Sequence, residues 1–407
     1  MNFEIINFGC RLNSYESELI RELFKKNNIV LDENKKVIIF NSCCVTKQAE
    51  NQLCQAIRKA RREYKDRAII GVVGCAVQVN YQKYQKMKEI DFLIGNGAKL
   101  DINNYKNFRN NKLVVNNIFE NNSQATELIT GFEGRVRAFI SIQNGCDNRC
   151  TFCLTRLARG YSVSTPSSQI IEQVKILVDN CFREIVLTGV DISDYGKRLD
   201  ENINLGLLIK KILKETAVER LRISSIDIAK LNNDLMNVFY NDKRLMPHIH
   251  LSLQSGDNEI LKKMARRHSR EETIEKCFQL KKYRPDIIFG ADFIAGFPTE
   301  TEQQHQNSVD IIKQIPIIFG HIFPYSERPE TPASKLPQLN KVIRKERARQ
   351  LRETANENLQ RLKKELAGTR QKVLVESEST GRLENYLQIK LNGDFKDKIG
   401  EIVEIII

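Results

Sequence analysis

The chain has 407 residues, too many for one compact core, with 41% hydrophobic and 28% charged residues, a balance that excludes disorder and predicts two or three globular domains. No apolar run approaches the roughly 20 residues that span a bilayer, the longest being AIIGVVGCAV at 68–77, and MNFEIINFGC carries no basic n-region, so the expectation is a cytoplasmic protein without a membrane partner. A net charge of +13 (64 basic minus 51 acidic) favours a polyanionic partner such as nucleic acid, and 10 cysteines without a secretion signal favour metal or redox chemistry over disulfides.

FEIINF (3–8) reads as a strand, and Asn13 and Glu16 behind it have capping-box spacing ahead of a helix with Leu19/Leu23 and Ile20/Phe24 at i,i+4. VIIF (37–40) predicts a second strand, a helix follows from about Thr46, and AIIGVV (68–73) predicts a third strand ending at Gly74-Cys75. This alternation implies an open parallel α/β unit over 1–120, whose ligands would sit beyond the carboxyl ends of its strands. Cys10, Cys43 or Cys44, and Cys75 fall there and form one candidate metal site. Cys43 and Cys44 point to opposite sides of an extended chain, so spacing alone leaves that choice open. Cys54, Cys181 and Cys277 have no evident partners and read as core residues.

ENNSQATELITGFEGR (120–135) reads as a polar linker. Six β-rich runs follow, AFISIQ (138–143), EIVLTG (184–189), LRISS (221–225), HIHLSL (248–253), FGADFIAG (289–296) and FGHIFPY (319–325), with amphipathic sequence between them. They predict a partial (β/α)6 barrel over 132–340, with its site at the C-terminal strand ends. The loop GCDNRCTFCLTRLARG (145–160) follows the first of these strands and carries Cys146, Cys150 and Cys153 to that face. Arg159-Gly160 either reaches a substrate phosphate or closes the loop, while His248 and His250, lacking an obvious cysteine or carboxylate partner, read as packing residues. RKARR (58–62), ARRHSR (265–270) and RKERAR (344–349) add to a nucleic-acid-facing surface. Residues 341–366 read as a charged helical connector that supplies phosphate affinity. Residues 367–407 read as a small antiparallel β-barrel in which Arg370, Lys372, Arg382, Tyr386 and Lys390 suit RNA contact.

Thiolates at C-x3-C-x2-C spacing are ligands for an iron–sulfur cluster, and three of them leave one iron of a four-iron cluster open. No histidine lies near 146–153 to complete a zinc site. The segment resembles the radical S-adenosylmethionine (SAM) signature. That resemblance implies a [4Fe–4S] cluster on Cys146, Cys150 and Cys153 whose open iron chelates SAM, and reductive cleavage of SAM to a 5′-deoxyadenosyl radical.

FGCRLNSYESE (8–18), FNSCCVT (40–46) and GVVGCAVQ (71–78) are similar to the N-terminal domain of the methylthiotransferases, which implies a second [4Fe–4S] cluster on Cys10, Cys43 and Cys75. LTGVDISDYG (187–196), LRISSID (221–227), HIHLSLQSGDNEILKKMARR (248–267), GADFIAGFPTET (290–301) and HIFPYSERPETPA (321–333) resemble that family's catalytic barrel, and the C-terminal segment resembles a TRAM domain. Gly189, Ser225 and Gln254, at or near strand ends, would face the implied SAM cleft. CRLNSYE, GCDNRCTFC and LTGVDI are similar to the MtaB-type branch. That branch converts N6-threonylcarbamoyladenosine at position 37 of the tRNA anticodon loop to its 2-methylthio form, with an electron donor protein and a sulfur donor as further partners. The alternatives are a methylthiotransferase for isopentenyladenosine-37 tRNA or ribosomal protein S12, and a non-catalytic iron–sulfur RNA-binding sensor. The chain departs from the family's usual proline at Arg156 and from its usual glycines at Thr299 and Glu330.

Overall fold

Strands β1 (Phe3–Phe8), β2 (Lys36–Ser42), β3 (Ala68–Gly74), β4 (Phe92–Gly95) and β5 (Leu113–Val114) lie parallel and in sequence order in one sheet of the computed structural model, which describes residues 3–120 and 127–407. Helices α1 (Arg11–Lys26), α2 (Lys47–Tyr64), α3 (Cys75–Gln85) and α4 (Ile102–Lys106) connect them. The near-continuous apolar runs of β2 and β3 are what a parallel strand buried on both faces requires. Thr46 caps α2 as expected, its hydroxyl accepting from the Ala49 N–H at 3.1 Å.

The capping box expected at Asn13 and Glu16 does not form. Cys10 occupies the N-cap of α1, so both residues lie inside the helix with their side chains engaged elsewhere. The helix buries two stripes rather than one. Ile20 and Phe24 pack on the N-terminal sheet, while Tyr15 and Leu19 join the core of the following barrel. Burying an aliphatic side chain contributes about 1.5–3 kcal/mol, so α1 ties the two units together through apolar contact.

The barrel is built from β6 (Arg137–Asn144), β8 (Glu184–Gly189), β9 (Arg220–Ile223), β10 (His248–Gln254), β11 (Ile288–Ala295) and β12 (Ile317–Pro324), with the short β7 (Val163–Ser164) antiparallel on the edge of β6. Its helices are α5 (Thr155–Arg159), α6 (Ser167–Asp179), α7 (Leu205–Glu215), α8 (Asn233–Asn241), α9 (Asn258–Lys263), α10 (Arg270–Tyr283) and α11 (Glu302–Gln314). The six expected strands are all present and parallel, in two sheets ordered β7-β6-β8-β9 and β10-β11-β12. Isolated bridges Leu221↔Leu245 and Ile226↔Leu251 join the two sheets into a curled half-barrel. Residues 121–126 of the expected linker lie outside the described residues, and its remainder is part of the barrel: Ile129 and Phe132 are buried in the core, and the Gln173 side chain bonds both the N–H and the C=O of Ile129 at 2.8 and 2.7 Å.

Helix α12 (Lys341–Leu366) is not a free connector. It packs along β12 and α11, burying Ala348, Leu351 and Ala355, while Arg344 and Arg347 turn inward to the Tyr325 carbonyl and to Glu300. The ARRHSR run is likewise consumed internally: Arg266 bonds the Ser252 carbonyl and Arg270 the Gly256 carbonyl. The expected basic surface is therefore much reduced at these two clusters.

The C-terminal segment forms a four-stranded antiparallel sheet ordered β15-β14-β13-β16, from β13 (Arg370–Ser377), β14 (Thr380–Leu383), β15 (Gln388–Lys390) and β16 (Ile402–Ile406). It docks beneath the N-terminal ends of the barrel strands. Arg220 donates to the carbonyls of Arg382 and Lys372 at 3.1 and 3.0 Å, and Arg222 to those of Glu384 and Leu383, both at 2.8 Å. Burial pushes the Glu184 carboxyl up, but Arg222, Arg137 and Arg220 overcome it and hold the group below the usual carboxylate range. Arg382 and Tyr386 face this floor rather than solvent. Tyr386 stacks on His248 at 4.6 Å and donor atoms of Arg11 reach its hydroxyl at 2.6 Å. Arg370, Lys372 and Lys390 remain exposed.

Candidate active site

Each N-terminal cysteine follows the carboxyl end of a strand. Cys10 ends the turn after β1, Cys43 and Cys44 follow β2, and Cys75 opens α3 directly after β3. Gly74 permits that abrupt strand-to-helix turn, with φ at +98° and the Asn41 Oδ1 only 2.7 Å from where a Cβ would stand. Cys43 feels the charge of both Cys75 and Cys10, whereas Cys44 hydrogen-bonds Cys75 and lies on the side toward Cys153. Both members of the pair are buried, so the set converges as expected and Cys44 is an additional neighbour.

A buried charge network surrounds this set. Glu16 receives a bidentate pair from Arg159 at 2.7 and 3.0 Å and a third bond from Lys99 at 2.5 Å. Burial alone would raise the Glu16 carboxyl, but Arg159 and Lys99 hold it at about 2. The two cations exceed the one carboxylate, and Cys75 lies beside this excess of positive charge. A hydrogen bond from Cys44, together with Arg159 and Lys99, outweighs burial and brings the Cys75 thiol down to about 6. Arg159 thus neither reaches a phosphate nor simply closes its loop; it bridges the barrel loop to α1. Cys43 is pushed up to about 12 by burial and by the neighbouring Cys75 and Cys10. Crowded thiols that resist joint ionisation, beside one drawn down by its neighbours, are the donor set that a cluster of iron ions would stabilise.

The loop after β6 is held from several sides. Gly145 has φ at +69° and no room for a Cβ, which would stand 1.8 Å from the Tyr161 carbonyl oxygen. The Cys146 N–H bonds the Gly160 carbonyl at 3.0 Å, and the Thr151 hydroxyl bonds the Lys263 carbonyl at 2.8 Å. The Cys150 sulfur accepts from Arg266 at 3.6 Å, and Cys153 is exposed with Thr155 donating its N–H to the sulfur at 3.4 Å. Burial pushes the Cys146 thiol up to about 12. Three reduced thiols projecting from one pinned loop fit a cluster with an accessible iron.

A cleft of about 360 Å³ opens beside this loop. Ser225 and Gln254 line it as expected, and Gln254 carries φ at +73° just where the β10 register slips between Leu251 and Gln254. Gly189 does not line it. That glycine borders the adjoining cavity and lets β8 approach Gln143, whose carbonyl oxygen would lie 2.6 Å from a Cβ. The cleft also contains Asn148, Asp191, Asp227 and Arg266, none of which the sequence reading singled out. Asp191 accepts from Asn148 at 2.9 Å and from Lys230 at 2.6 Å. Asp227, against the effect of burial, is held at about 2 by His268 and Arg266. All four stood within quoted motifs; their meeting depends on the fold.

The adjoining cavity, about 460 Å³, is lined by Cys10, Cys43 and Cys75 on one side and by barrel strand ends on the other. Thr155, Val190, Ser225 and Ser252 border both spaces, so the two cysteine sets face a common interior. His250 enters that interior, contrary to its expected packing role, with Nε2 3.1 Å from Asp292 Oδ1. His321 Nδ1 lies 3.5 Å from the same oxygen, and the two rings are 4.5 Å apart. Burial pushes the Asp292 carboxyl up, but the bonds from His250 and His321 hold it well below the usual range. His248 does behave as a packing residue, buried against Tyr386.

Among the unassigned cysteines, Cys277 is buried, Cys54 is half-buried and Cys181 is exposed, which corrects the core reading of the last. Arg156 stacks over Phe119 and Tyr161 at 5.7 and 5.2 Å, a contact that a proline could not make. Thr299 adopts φ at +70°, which explains why glycine suits that position, and its hydroxyl accepts from Lys263 at 2.7 Å. Glu330 borders the cleft.

Residues 140–312 match the Radical SAM superfamily, and residues 2–95 match Uncharacterized protein family UPF0004. The chain is 44% identical over 390 residues to the threonylcarbamoyladenosine tRNA methylthiotransferase MtaB of Rickettsia prowazekii, covering 96% of this chain and 91% of that protein. The chain belongs to the threonylcarbamoyladenosine tRNA methylthiotransferase family. Identity falls to 30% with the tRNA-2-methylthio-N(6)-dimethylallyladenosine synthase of Clostridium botulinum (strain Alaska E43 / Type E3), across 99% of this chain and 92% of that one. The fold is shared with the radical S-adenosylmethionine methyltransferase TsrM of Kitasatospora setae, at 12% identity and a TM-score of 0.56 over 82% of this chain and 74% of that one. As a radical SAM protein, the family member uses SAM and a [4Fe–4S] cluster.

Proposed function

We propose that this chain converts N6-threonylcarbamoyladenosine at position 37 of tRNA to its 2-methylthio form, using two [4Fe–4S] clusters. The observation that supports it is the common interior: one three-cysteine set on the pinned barrel loop and one on the N-terminal rim both open onto it. Cys146, Cys150 and Cys153 would hold the cluster that binds SAM, and Cys10, Cys43 and Cys75 the second. When bound, these groups and SAM supply the radical initiator, the methyl group and the sulfur that substitution of an aromatic C2–H requires and that side chains lack. Ser225 and Gln254 would orient SAM in the cleft. Arg266 and Asn148 fix the loop against Asp227 and Asp191. Arg159 holds the two cysteine sets in register through Glu16. An electron donor protein and a source of replacement sulfur complete the cycle in the cytoplasm. Among the described residues no helix is long and apolar enough to cross a membrane.

The exposed Arg370, Lys372 and Lys390 on the C-terminal sheet would contact tRNA phosphates in the manner of a TRAM domain. The test is anaerobic reconstitution with iron, sulfide, SAM and dithionite, followed by mass spectrometry of nucleosides from threonylcarbamoyladenosine-containing tRNA. Formation of the 2-methylthio nucleoside is expected; unchanged nucleoside alongside SAM cleavage would reject the substrate, and absence of 5′-deoxyadenosine in a fully loaded protein would reject the enzyme.

A further inference from the structure

Adenine carries C2 and N6 on one edge with only C6 and N1 between C2 and N6. A base turned with C2 toward the cysteines therefore projects its N6 substituent into the same interior. The threonylcarbamoyl substituent ends in a carboxylate, which needs charged donors in a site shielded from water.

Four side chains of the cavity can offer them: Arg11, Arg159, His250 and His321. Arg159 is committed to Glu16 through both terminal nitrogens, and His250 directs Nε2 to Asp292. Arg11, immediately after Cys10, has one terminal nitrogen on the Tyr386 hydroxyl at 2.6 Å, which anchors the side chain and leaves the rest of its donor fork for another acceptor. His321 keeps its side chain 56% exposed, and its Nδ1 faces Asp292 at 3.5 Å so that Nε2 points away. A neighbouring slot of about 310 Å³ shares Asp292 with the cavity and carries Phe323, 46% exposed, as a face on which a base could stack.

We propose that Arg11 and His321 form the receptor for the carboxylate of the threonylcarbamoyl group, with Asp292 as the positioning residue for His321. The proposal rests on the substrate reading above and deepens it. Arg11 supplies a planar fork that matches a carboxylate, and His321, acting as the imidazolium with Nδ1–H on Asp292, donates its Nε2–H. Asp292 directs Oδ1 to both His250 and His321, and these two contacts offset its charge toward the ligand. An apolar N6 substituent would leave the Arg11 donors without a partner, and that kind of mismatch is rejected far more strongly than a change of size.

The test offers three anticodon stem-loops to the reconstituted full chain: threonylcarbamoyladenosine, its methyl ester, and isopentenyladenosine. Wild type is expected to use the acid with a kcat/KM at least tenfold above the ester. Arg11→Gln and His321→Phe, each checked for iron content, are expected to cut the acid-to-ester ratio several-fold. Equal use of acid and ester by wild type overturns the proposal while leaving the substrate reading intact. A parallel fall for acid and ester in the variants also overturns it, since the group bound would then be an RNA phosphate common to both. Use of isopentenyladenosine in place of the acid overturns both readings. Should Arg11→Gln lose iron, the wild-type ratio and His321→Phe still decide.

Discussion

Cys75 sits beside Arg159 and Lys99 with its thiol drawn down to about 6, whereas Cys146, on the barrel loop, is pushed up to about 12 by burial without a compensating cation. In the N-terminal set Cys43 and Cys75 are buried beside a fixed charge network and only Cys10 is exposed; in the loop set Cys146 and Cys150 are half-buried, Cys153 is exposed, and all three open to a cleft. One site is thus part of the folding core, and the other is a loop that the core holds up. The difference teaches that two sites with the same number of thiols can differ in what breaks them. Perturbing the network should damage the rim and its junction with the barrel, while perturbing the loop should remove reactivity and spare the fold.

The largest effect should separate the two roles. Cys150→Ala is expected to abolish 5′-deoxyadenosine formation, whereas Cys75→Ala should retain it and lose the methylthio product, both read by chromatography. Loss of SAM cleavage in Cys75→Ala with loop iron intact would merge the roles. In the same assay Cys43→Ala should lose rim iron and Cys44→Ala should keep it; equal losses would undo that choice of ligand.

Glu16→Ala leaves Arg159 and Lys99 buried without their carboxylate, and removing one partner of a buried pair costs about 3–5 kcal/mol. Denaturant melts of the cluster-free chain should show this, and a loss below about 1 kcal/mol would mean that the network is not a junction. The same carboxyl predicts acid sensitivity. Its folded-state value of about 2 lies below the usual 4.5, so its stabilisation is present above the usual value and is lost as pH falls toward 2. The contribution is about 3 kcal/mol at neutral pH, and Glu16→Gln should flatten the melting profile across that window. Tyr386→Phe removes the hydroxyl that Arg11 and Arg137 both bond, hydrogen bonds to a charged group being worth about 2 kcal/mol each, and should lower the melting temperature while iron content at both sites holds.

Strand positions were legible because parallel strands buried on both faces read as short apolar runs, and all six barrel strands fall where those runs lie. The convergence of Cys10, Cys43 or Cys44, and Cys75 was legible for a related reason, that strand ends in an open sheet share one rim, while the choice of Cys43 came from the family resemblance. Long-range polar pairing was not. Asn13 and Glu16 have the spacing of a local cap, but Glu16 answers to Arg159, 143 residues away, and sequence spacing cannot distinguish the two uses. His250 looked unpartnered because Asp292 lies one strand over, at a distance of 42 residues. The basic clusters at 265–270 and 344–349 were misread for the same reason, since their acceptors are carbonyls that only the tertiary fold supplies.

The hydrogen bond from Arg11 to Tyr386 closes a span of 375 residues. During synthesis at about 5–20 residues per second, the chain must wait many seconds between making the first partner and making the second. Until then Arg220 and Arg222 have no carbonyls to meet at the foot of the barrel. The order of assembly is therefore built into the fold: the rim and barrel can form early, but they are locked together only when the stretch from Lys372 to Tyr386 leaves the ribosome and reaches Arg11, Arg220 and Arg222.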